Sequence, residues 1–291
     1  MKAGFVNIFG RPNAGKSTLL NALIGEKMAI VSPKVQTTRH RIKAFLNKEN
    51  EYQIIFSDTP GIIDPKYKLH EKMMEAVKSA LEDADLALLM VDIQDNLNEL
   101  DELFSSLKLK VPSIVVINKL DLAKGNLLNE ALEFFKNKSY CTKSIAISAL
   151  HTSDIDSLIQ LIIEMIPEGV PFYNQEDLSD MPTKFFVSEL IREKIYHLFG
   201  EEIPYQTAVM VNSFKQQPLL IKIQADIIVN RETQKAIIIG EKGKMIKELG
   251  TLARKDIEDF IGSKIYLELF VKVKPKWRDN ELKLKEFGYQ S

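Results

Sequence analysis

Residues 10–17 read GRPNAGKS, a glycine-rich turn that ends in a lysine and a serine. The turn follows the apolar run FVNIF and precedes STLLNALIG, so it has the spacing G-x-x-x-x-G-K-S/T between a strand and a helix. Two glycines let backbone N–H groups face phosphate oxygens, and the helix N-terminus adds partial positive charge. The stretch predicts a nucleotide-phosphate site, with a chance glycine turn before a helix as the alternative.

Short apolar runs recur through the first 165 residues and alternate with helix-like segments. The runs are FVNIF, YQIIF, LALLMV, SIVVI and SIAI, and the helix-like segments include STLLNALIG, LHEKMMEAVKSALEDA, LNELDELFSSLK and IDSLIQLIIEMI. This alternation predicts an α/β domain whose mostly parallel sheet is covered on both faces. Ligands of such sheets bind at the carboxyl ends of the strands, where the glycine-rich turn is expected.

The alternation stops at PEGVPFYNQEDLSDMP, whose three prolines and lack of periodicity indicate a linker. A helix candidate then precedes the strands TAVMVNSF and LIKIQADIIV, a further helix and a last strand, KIYLELFVKVKP. We therefore predict a first domain at 1–166, a linker at 167–182, and a smaller α+β domain at 183–291 with a basic C-terminal tail.

The charge is unevenly divided between the two halves of the chain. Residues 1–180 contain 20 Lys/Arg and 25 Asp/Glu, a net charge of −5, whereas residues 181–291 contain 19 and 15, a net charge of +4. The second domain is thus the better candidate for a polyanionic partner.

Cysteine content and hydropathy indicate in which cellular compartment the protein is expected. Cys141 is the only cysteine, so an intrachain disulfide is excluded, and a reducing compartment is suited. No secretory signal and no apolar run of about 18 residues are evident, so we expect a cytoplasmic protein without a membrane span.

A second phosphate-site motif is DTPGIID, which begins at Asp58 after the apolar run YQIIFS. Asp58 is expected to hold magnesium through a water, and the Gly61 N–H to meet a γ-phosphate. In the first motif, Lys16 would reach the β- and γ-phosphates and the Ser17 hydroxyl would bind magnesium. Alone, DTPG could be a simple turn. Ile62 occupies the position where many such enzymes have a water-orienting glutamine.

Two later motifs select guanine. NKLD, at 118–121, follows the strand SIVVI, and the Asp121 carboxylate can accept from both N1–H and N2–H of guanine. Sites built on such hydrogen bonds reject the wrong partner by about 10⁴-fold. Asn118 would tie this loop to the phosphate loop, and the Lys119 stem would cover the base. A backbone N–H of SAL, at 148–150, could meet guanine O6.

With these motifs in place, the first 165 residues resemble the Era family, in the translation-factor-like branch of P-loop GTPases. The segment VQTTRHRI, at 35–42, fits the family's switch segment closely. The resemblance implies that a threonine closes over magnesium and the γ-phosphate. We favour Thr38, with Thr37 as the alternative, and a polar loop without such a role remains open.

Ile62 cannot orient water, which leaves two interpretations. One is a slow GTPase that awaits an external helper. The other follows from the resemblance: related GTPases with an apolar residue after DxxG bind potassium between the phosphates, using an asparagine at the position of Asn13 and switch carbonyls. A fixed cation there would stabilise charge in the transition state. Asn13 could instead only fix the turn.

The second domain contains GEKG at 240–243, between an apolar run and a helix. A lone GxxG is typical of helix-capping loops, but it is also the loop by which KH domains clamp about four nucleotides. The order helix–strand–strand–helix–strand resembles a type II KH domain, and KIYLELFVKVKPKWR, at 264–278, resembles the end of the Era domain. Lys242 and Lys244 add positive charge beside the loop.

Basic residues and one aromatic residue extend this nucleic-acid prediction to the last strand. Trp277 could stack on a base, whereas some of the neighbouring lysines could only solvate an outer strand face. Four apolar residues are expected in the core more than in a groove wall: Ile237, Ile239, Ile246 and Leu249.

The predicted functional residues fall into four sets. The GTP-binding set is Gly10, Arg11, Pro12, Asn13, Ala14, Gly15, Lys16, Ser17, Thr18, Asp58, Thr59, Pro60, Gly61, Asn118, Lys119, Asp121, Ser148, Ala149 and Leu150. The catalytic set is Lys16, Thr38, Gly61 and Asn13. The metal set is Ser17, Thr38 and Asp58 for magnesium, with Asn13 for potassium. The RNA-binding set is Gly240, Glu241, Lys242, Gly243, Lys244, Lys272, Lys274, Lys276, Trp277 and Arg278.

The resemblance implies a GTPase that hydrolyses GTP to GDP and binds the 3′ end of 16S rRNA through its KH domain during assembly of the 30S subunit. The γ-phosphate would order switch loops at 32–42 and 58–70, the linker would transmit the state, and no DNA partner is expected. Peripheral association with the inner face of the cell membrane also belongs to the resemblance. The alternatives are a GTPase of cell-cycle or membrane signalling whose second domain binds protein, and an RNA-binding protein with a residual nucleotide pocket.

Overall fold

The computed structural model describes residues 1–200 and 202–289. The strands are β1 (Lys2–Gly10), β2 (Ile42–Lys48), β3 (Tyr52–Asp58), β4 (Leu86–Asp92), β5 (Ser113–Asn118), β6 (Lys143–Ala146), β7 (Ala208–Gln216), β8 (Ile221–Val229) and β9 (Ile265–Val273). The helices are α1 (Lys16–Ile24), α2 (Lys68–Glu82), α3 (Leu97–Ser106), α4 (Leu127–Lys136), α5 (Ile155–Met165), α6 (Thr183–Leu198), α7 (Glu232–Ile239), α8 (Lys244–Ile261) and α9 (Glu281–Glu286).

The first sheet has the strand order β2-β3-β1-β4-β5-β6, and every neighbouring pair is parallel except β2 with β3. This confirms the predicted α/β fold. Strand β2 was not among the five predicted apolar runs. Its sequence, IKAFLNK, mixes lysine and asparagine with apolar residues because an edge strand is only partly buried.

Helices cover both faces of this sheet. Consecutive residues of a strand point to opposite faces, and Ile8 and Phe9 of β1 show the consequence. Ile8 belongs to an apolar cluster with Leu19 of α1 and Leu158 of α5. Phe9 belongs to another, with Phe104 of α3. Each such buried side chain contributes roughly 1.5–3 kcal/mol of transfer free energy. The two clusters fix β1, and with it the glycine-rich turn that follows.

The second sheet has the order β7-β8-β9, with β7 and β8 antiparallel and β8 and β9 parallel. The type II KH arrangement is confirmed, with two helices, α7 and α9, beyond those expected. The apolar run before GEKG is not a strand but the end of α7. Ile238 is buried there, whereas Ile237 points outward and is 52% exposed, so its expected place in the core is wrong. Leu249 is buried, and Ile239 and Ile246 are half-buried.

The segment 167–182 has no regular structure but lies against the edge of the first sheet. The backbone N–H groups of Phe172 and Tyr173 donate to Gln53 Oε1, at 2.6 and 3.0 Å. The Tyr173 ring stacks on Phe45 of β2, with ring centroids 4.1 Å apart. This segment is therefore attached to the first domain along its course.

The chain after β9 returns to the first domain. Trp277 is fully buried, in a cluster with Leu69 and Met73 of α2, and its Nε1 donates to the carbonyl of Gln206 at 3.0 Å. The predicted stacking of Trp277 on a base is therefore wrong, because its ring packs inside the protein. No helix in the two described ranges is long and apolar enough to cross a membrane.

Candidate nucleotide and nucleic-acid sites

The glycine-rich loop leaves β1 and enters α1 with no room for larger residues. Gly15 has φ +97°, and a Cβ there would lie 2.2 Å from Asn118 Nδ2. A Cβ on Gly10 would lie 2.8 Å from the carbonyl oxygen of Met90. Both glycines are therefore required by close approach of neighbouring strands and loops.

Lys16 lies under this loop and is only 6% exposed. Its Nζ donates to the carbonyls of Gly10 and Arg11, at 3.2 and 2.8 Å. Burial lowers the pKa of Lys16 to about 8, while the nearby Asp58 carboxylate opposes this shift. A bound phosphate would favour the charged form further, so the lysine is suited to neutralise an anion held by the loop.

Ser17, Thr38 and Asp58 meet at the end of the loop. Asp58 Oδ2 accepts from Ser17 Oγ at 2.6 Å and from Thr38 Oγ1 at 3.1 Å, and the two hydroxyl oxygens are 2.8 Å apart. Asp58 is fully buried, which raises the pKa of its carboxyl against the opposing charge of Lys16. Its Oδ1 has no hydrogen-bond partner among the described residues. A free carboxylate oxygen beside two hydroxyls fits magnesium, which prefers oxygen ligands and keeps several waters.

The two candidate threonines of the switch segment point in different directions. Thr38 joins Ser17 and Asp58, whereas the Thr37 hydroxyl donates to the carbonyl of Lys34 at 2.6 Å. Only Thr38 is therefore placed to contact a metal ion at this site.

The side chains of two other residues of the phosphate motifs are engaged outside the phosphate site. Arg11 turns its side chain away to Glu99, at 2.7 Å, and the Thr59 hydroxyl donates to the carbonyl of Ile8 at 2.6 Å. A Cβ on Gly61 would lie 2.8 Å from Pro12, so the DTPG turn closely approaches the glycine-rich loop.

Asn13 lies at the tip of the loop, with φ +65°. Its Nδ2 donates to the carbonyl of Pro33 in the switch segment, at 2.9 Å. The side chain therefore connects two of the segments that border the cleft.

The NKLD loop is joined to the glycine-rich loop by Asn118. Its Nδ2 donates to the carbonyl of Ala14 at 2.9 Å, and its Oδ1 accepts from the N–H of Ala149 at 3.0 Å. One buried amide thus holds together the loops that the sequence assigned to phosphate and to guanine.

Asp121 is partly exposed beside this amide and accepts a hydrogen bond from Ser148 Oγ. That hydrogen bond lowers the pKa of Asp121, so its carboxylate is ionised and can accept from a base. Lys119 forms an ion pair with Asp92, and Leu150 is 71% exposed.

A cleft of about 320 Å³ is lined by part of the phosphate site, whereas Asp58, Asn118 and Asp121 are not among its lining residues. Ile30 and Val31 also line it. Sequence reasoning missed them, because no motif marks the stretch between α1 and the two threonines. From the predicted sets, the cleft is lined by Pro12, Asn13, Gly15, Lys16, Ser17, Thr18, Thr38, Gly61 and Lys119.

The GEKG loop turns sharply between α7 and α8. Gly240 and Gly243 have φ +70° and +77°, and a Cβ on Gly240 would lie 2.5 Å from Met245 Cγ. Lys242 and Lys244 are exposed, and α8 begins at Lys244. The loop therefore presents cations and a helix N-terminus to solvent, an arrangement suited to a phosphate backbone.

A groove of about 370 Å³ lies between α8 and the edge strand β9. Gly250 lies in this groove, and a Cβ there would be in ordinary van der Waals contact with Leu269 Cδ1, at 3.6 Å. Sequence reasoning missed these residues, although the helical spacing of Lys247 and Arg254 after GEKG was a usable signal. The groove is lined by Ile246, Lys247, Gly250, Thr251, Arg254, Tyr266, Leu267 and Leu269.

The basic residues of the C-terminal tail are not gathered in one place. Lys272 forms an ion pair with Asp226 of β8, at 2.6 Å. The Arg278 guanidinium lies 4.3 Å from the centre of the Tyr67 ring in the first domain. Lys276 is exposed and Lys274 is half-buried. Arg278 thus contributes to the domain interface in this structure.

Comparison with known proteins places these sites in a family. Residues 5–119 match the model of the 50S ribosome-binding GTPases, and residues 202–278 match the KH domain. GTPase Era of Staphylococcus haemolyticus is 42% identical over 291 residues, which are 99% of this chain and 97% of that protein.

Two solved structures match the whole chain. One is a point variant of Aquifex aeolicus Era bound to GDP·AlF4⁻, with a TM-score of 0.96, 42% identity and complete coverage of both chains. The other is Era in complex with MgGDPNP and nucleotides 1506–1542 of 16S ribosomal RNA, with a TM-score of 0.95 and the same identity and coverage.

Proposed function

Because the chain belongs to the Era family of GTPases, we propose that it uses GTP binding and hydrolysis to control its binding of the 3′ end of 16S rRNA. The setting of this activity is assembly of the 30S ribosomal subunit. The observation that supports the nucleotide part is that Ser17 and Thr38 both donate to Asp58 Oδ2, while Asp58 Oδ1 has no hydrogen-bond partner among the described residues. The relative whose structure holds both MgGDPNP and 16S rRNA supports the RNA part.

Residues in and beside the cleft have different roles towards GTP. Lys16 neutralises charge on the β- and γ-phosphates, and the Gly61 N–H donates to the γ-phosphate. Ser17, Thr38 and Asp58 would hold magnesium, directly or through its waters, and the metal would supply positive charge against the phosphates. Asp121 selects guanine by accepting from its N1–H and N2–H groups.

Ile62 cannot orient the attacking water, since it has no polar group and packs beside an apolar cluster. GTP hydrolysis therefore needs another means of catalysis. We propose that a potassium ion binds beside Asn13, with the amide oxygen and switch carbonyls as ligands. The contact of Asn13 with the carbonyl of Pro33 brings both ligand types together and supports this proposal. The ion would stabilise charge on the phosphates in the transition state.

The RNA strand is proposed to bind across the GEKG loop and the groove between α8 and β9. Lys242, Lys244, Lys247 and Arg254 would contact phosphates, and the apolar wall would face the bases. Lys274 and Lys276 can extend this surface, whereas Lys272 and Arg278 are engaged by other residues.

The domain limits and location complete the proposal. We assign GTP binding to 1–166 and RNA binding to 183–291, joined by 167–182. A cytoplasmic location follows from the proposed ribosomal partner. Contact with the inner face of the membrane rests on the family resemblance alone.

The experiment compares binding of a labelled oligonucleotide with the 3′-terminal 16S sequence. Protein loaded with a non-hydrolysable GTP analogue is set against protein loaded with GDP, together with Gly243→Asp in both states. We expect tight binding only with the analogue, and its loss in Gly243→Asp through charge repulsion. No binding in either state would leave a GTPase whose second domain binds protein, as in a cell-cycle or membrane regulator.

A further inference from the structure

The backbone on the N-terminal side of Thr38 is held by the second domain. The Tyr196 hydroxyl of α6 donates to the carbonyl of Gln36 at 2.9 Å. Arg192, also on α6, donates to the carbonyl of Thr37 at 2.5 Å. Two consecutive peptide groups of the switch segment are thus anchored outside the first domain.

Arg39 anchors the backbone on the C-terminal side of Thr38. It is 2% exposed, although it follows Thr38 in a switch loop. Its Nη1 donates to the carbonyl of Thr207 at 2.7 Å, and its Nη2 donates to the carbonyl of Pro204 at 2.8 Å. The hydroxyls of Tyr196 and Tyr289 lie 3.3 Å from the same guanidinium. All four partners belong to the second domain.

Thr38 is therefore the one residue of 36–39 whose side chain reaches the proposed magnesium site. We infer that Arg39 is a positioning residue for GTP hydrolysis, through which the second domain holds Thr38 over magnesium and the γ-phosphate. This inference rests on the proposed nucleotide site.

The physical reason is the cost of ordering a loop. Thr38 can contact the ligands only if its neighbours adopt one conformation, which opposes binding through lost backbone entropy. A buried guanidinium with two carbonyl acceptors offsets that loss before the nucleotide arrives, because charge-assisted hydrogen bonds are strong when shielded from water. GDP lacks the γ-phosphate that Thr38 would close over. The anchor should therefore favour the triphosphate specifically.

The test compares Arg39→Met, which keeps a long apolar side chain without donors, with Arg39→Lys. We would measure the affinities of the full-length protein for a non-hydrolysable GTP analogue and for GDP, and the kcat and KM of GTP hydrolysis. Loss of a charged hydrogen bond corresponds to roughly a tenfold effect. For Arg39→Met we expect the ratio of analogue to GDP affinity, and kcat, each to fall by that factor. Arg39→Lys should restore part of both, since an ammonium can reach one carbonyl.

The matched control is Arg41→Met in the same segment. Arg41 pairs with Asp83 at 2.6 Å and donates to Ser57, both within the first domain, so the affinity ratio should remain that of the wild type. A second test variant, Tyr196→Phe, removes one hydroxyl without leaving a buried charge unpaired. It should lower the same ratio by a smaller factor.

Three results would separate the explanations. An unchanged ratio and kcat in both Arg39→Met and Tyr196→Phe would overturn the inference. Equal loss of both nucleotides in Arg39→Met, with Tyr196→Phe like the wild type, would also overturn it, since that pattern reports damaged folding. A wild-type protein that binds neither nucleotide would instead refute the proposed function.

Discussion

The ammonium of Lys27 lies 3.1 Å from a carboxylate oxygen of Asp256 and 2.6 Å from one of Glu193. Lys27 belongs to the loop that follows α1, whereas Asp256 is on α8, the helix that begins at the GEKG loop. Val31, which lines the nucleotide cleft, also donates its N–H to Glu193 at 3.3 Å. A short series of polar contacts therefore connects the nucleotide cleft with α8, the helix to which RNA binding is proposed.

Replacing Lys27 by Met should weaken the coupling between the two ligands. Coupling is reciprocal, and its usual size is about 5- to 150-fold. We expect Lys27→Met to lower the factor by which a GTP analogue raises RNA affinity, with RNA affinity in the GDP state unchanged. Lys48→Met, which removes an exposed ion pair with Glu51 inside the first domain, is the control. Equal coupling in both variants and in the wild type would show that this contact transmits nothing.

Gly15→Ala should abolish tight nucleotide binding. The new methyl group would lie 2.2 Å from Asn118 Nδ2 and would break the amide contact that joins the phosphate and guanine loops. Gly25→Ala is the matched control, because it also has positive φ but nothing within 4 Å. It should cost about 1–2 kcal/mol of unfolding free energy for the left-handed backbone, without loss of binding. Thermal unfolding and nucleotide titration of both variants measure the difference.

Asp121→Asn should reverse the preference between guanine and xanthine. An amide can donate to the 2-carbonyl of xanthine, whereas it cannot accept both donors of guanine. Loss of two charge-assisted hydrogen bonds should lower GTP affinity by roughly 10²- to 10⁴-fold, with xanthosine triphosphate bound better than GTP. Competition between the two triphosphates gives the answer. A variant that still prefers GTP would mean that Asp121 does not contact the base.

Potassium should accelerate GTP hydrolysis relative to sodium at equal ionic strength. The expected difference disappears in Asn13→Ala, which removes the proposed ligand and the contact with Pro33. Turnover is measured in both salts for both proteins. Equal rates for the wild type in the two salts would rule out potassium as a catalytic ion. Such a result would favour an external partner that activates hydrolysis.

His70 should make the protein less stable as the pH falls. It is 3% exposed, and its burial lowers its pKa to about 4, with Arg278, Arg39 and Lys66 acting in the same direction. The unfolded state, with a pKa near 6.5, then binds more protons between those two values. Stability conferred by the neutral ring is therefore complete above pH 6.5 and lost towards pH 4, by at most about 1.4 kcal/mol per pH unit.

The measurement is the unfolding free energy of the wild type and His70→Gln across this pH window. The wild type should lose stability relative to His70→Gln as the pH falls. Both proteins share every other titratable group, so a difference between their curves that changes with pH reports His70. Parallel curves for the wild type and His70→Gln would contradict the prediction.

Local motifs could be predicted from the sequence because their residues are close together along the chain. The spacing of GRPNAGKS and the strand before it were sufficient to predict the turn into α1. The choice between Thr37 and Thr38 could not be made, because it depends on Arg192, Tyr196 and Arg39 contacts across the domain interface.

Trp277, in the second domain, likewise shows that contacts between the domains could not be predicted from the sequence. Its basic neighbours suggested a base-stacking surface, but its packing partners, Leu69 and Met73, come from the first domain. Composition near a residue does not reveal a partner far away in the chain. Edge strand β2 was missed because its exposed face carries lysine and asparagine, which weakens the apolar pattern.

The position of Tyr289 has a consequence for the newly made protein. It stacks on His40, with ring centroids 4.5 Å apart, and its hydroxyl faces Arg39. Translation proceeds from the N-terminus, and domains generally fold as they emerge. The first domain is therefore complete well before Tyr289 is synthesised, and until then its switch segment lacks part of its anchor. A nascent chain would thus contain a folded nucleotide pocket that is not yet coupled to RNA binding.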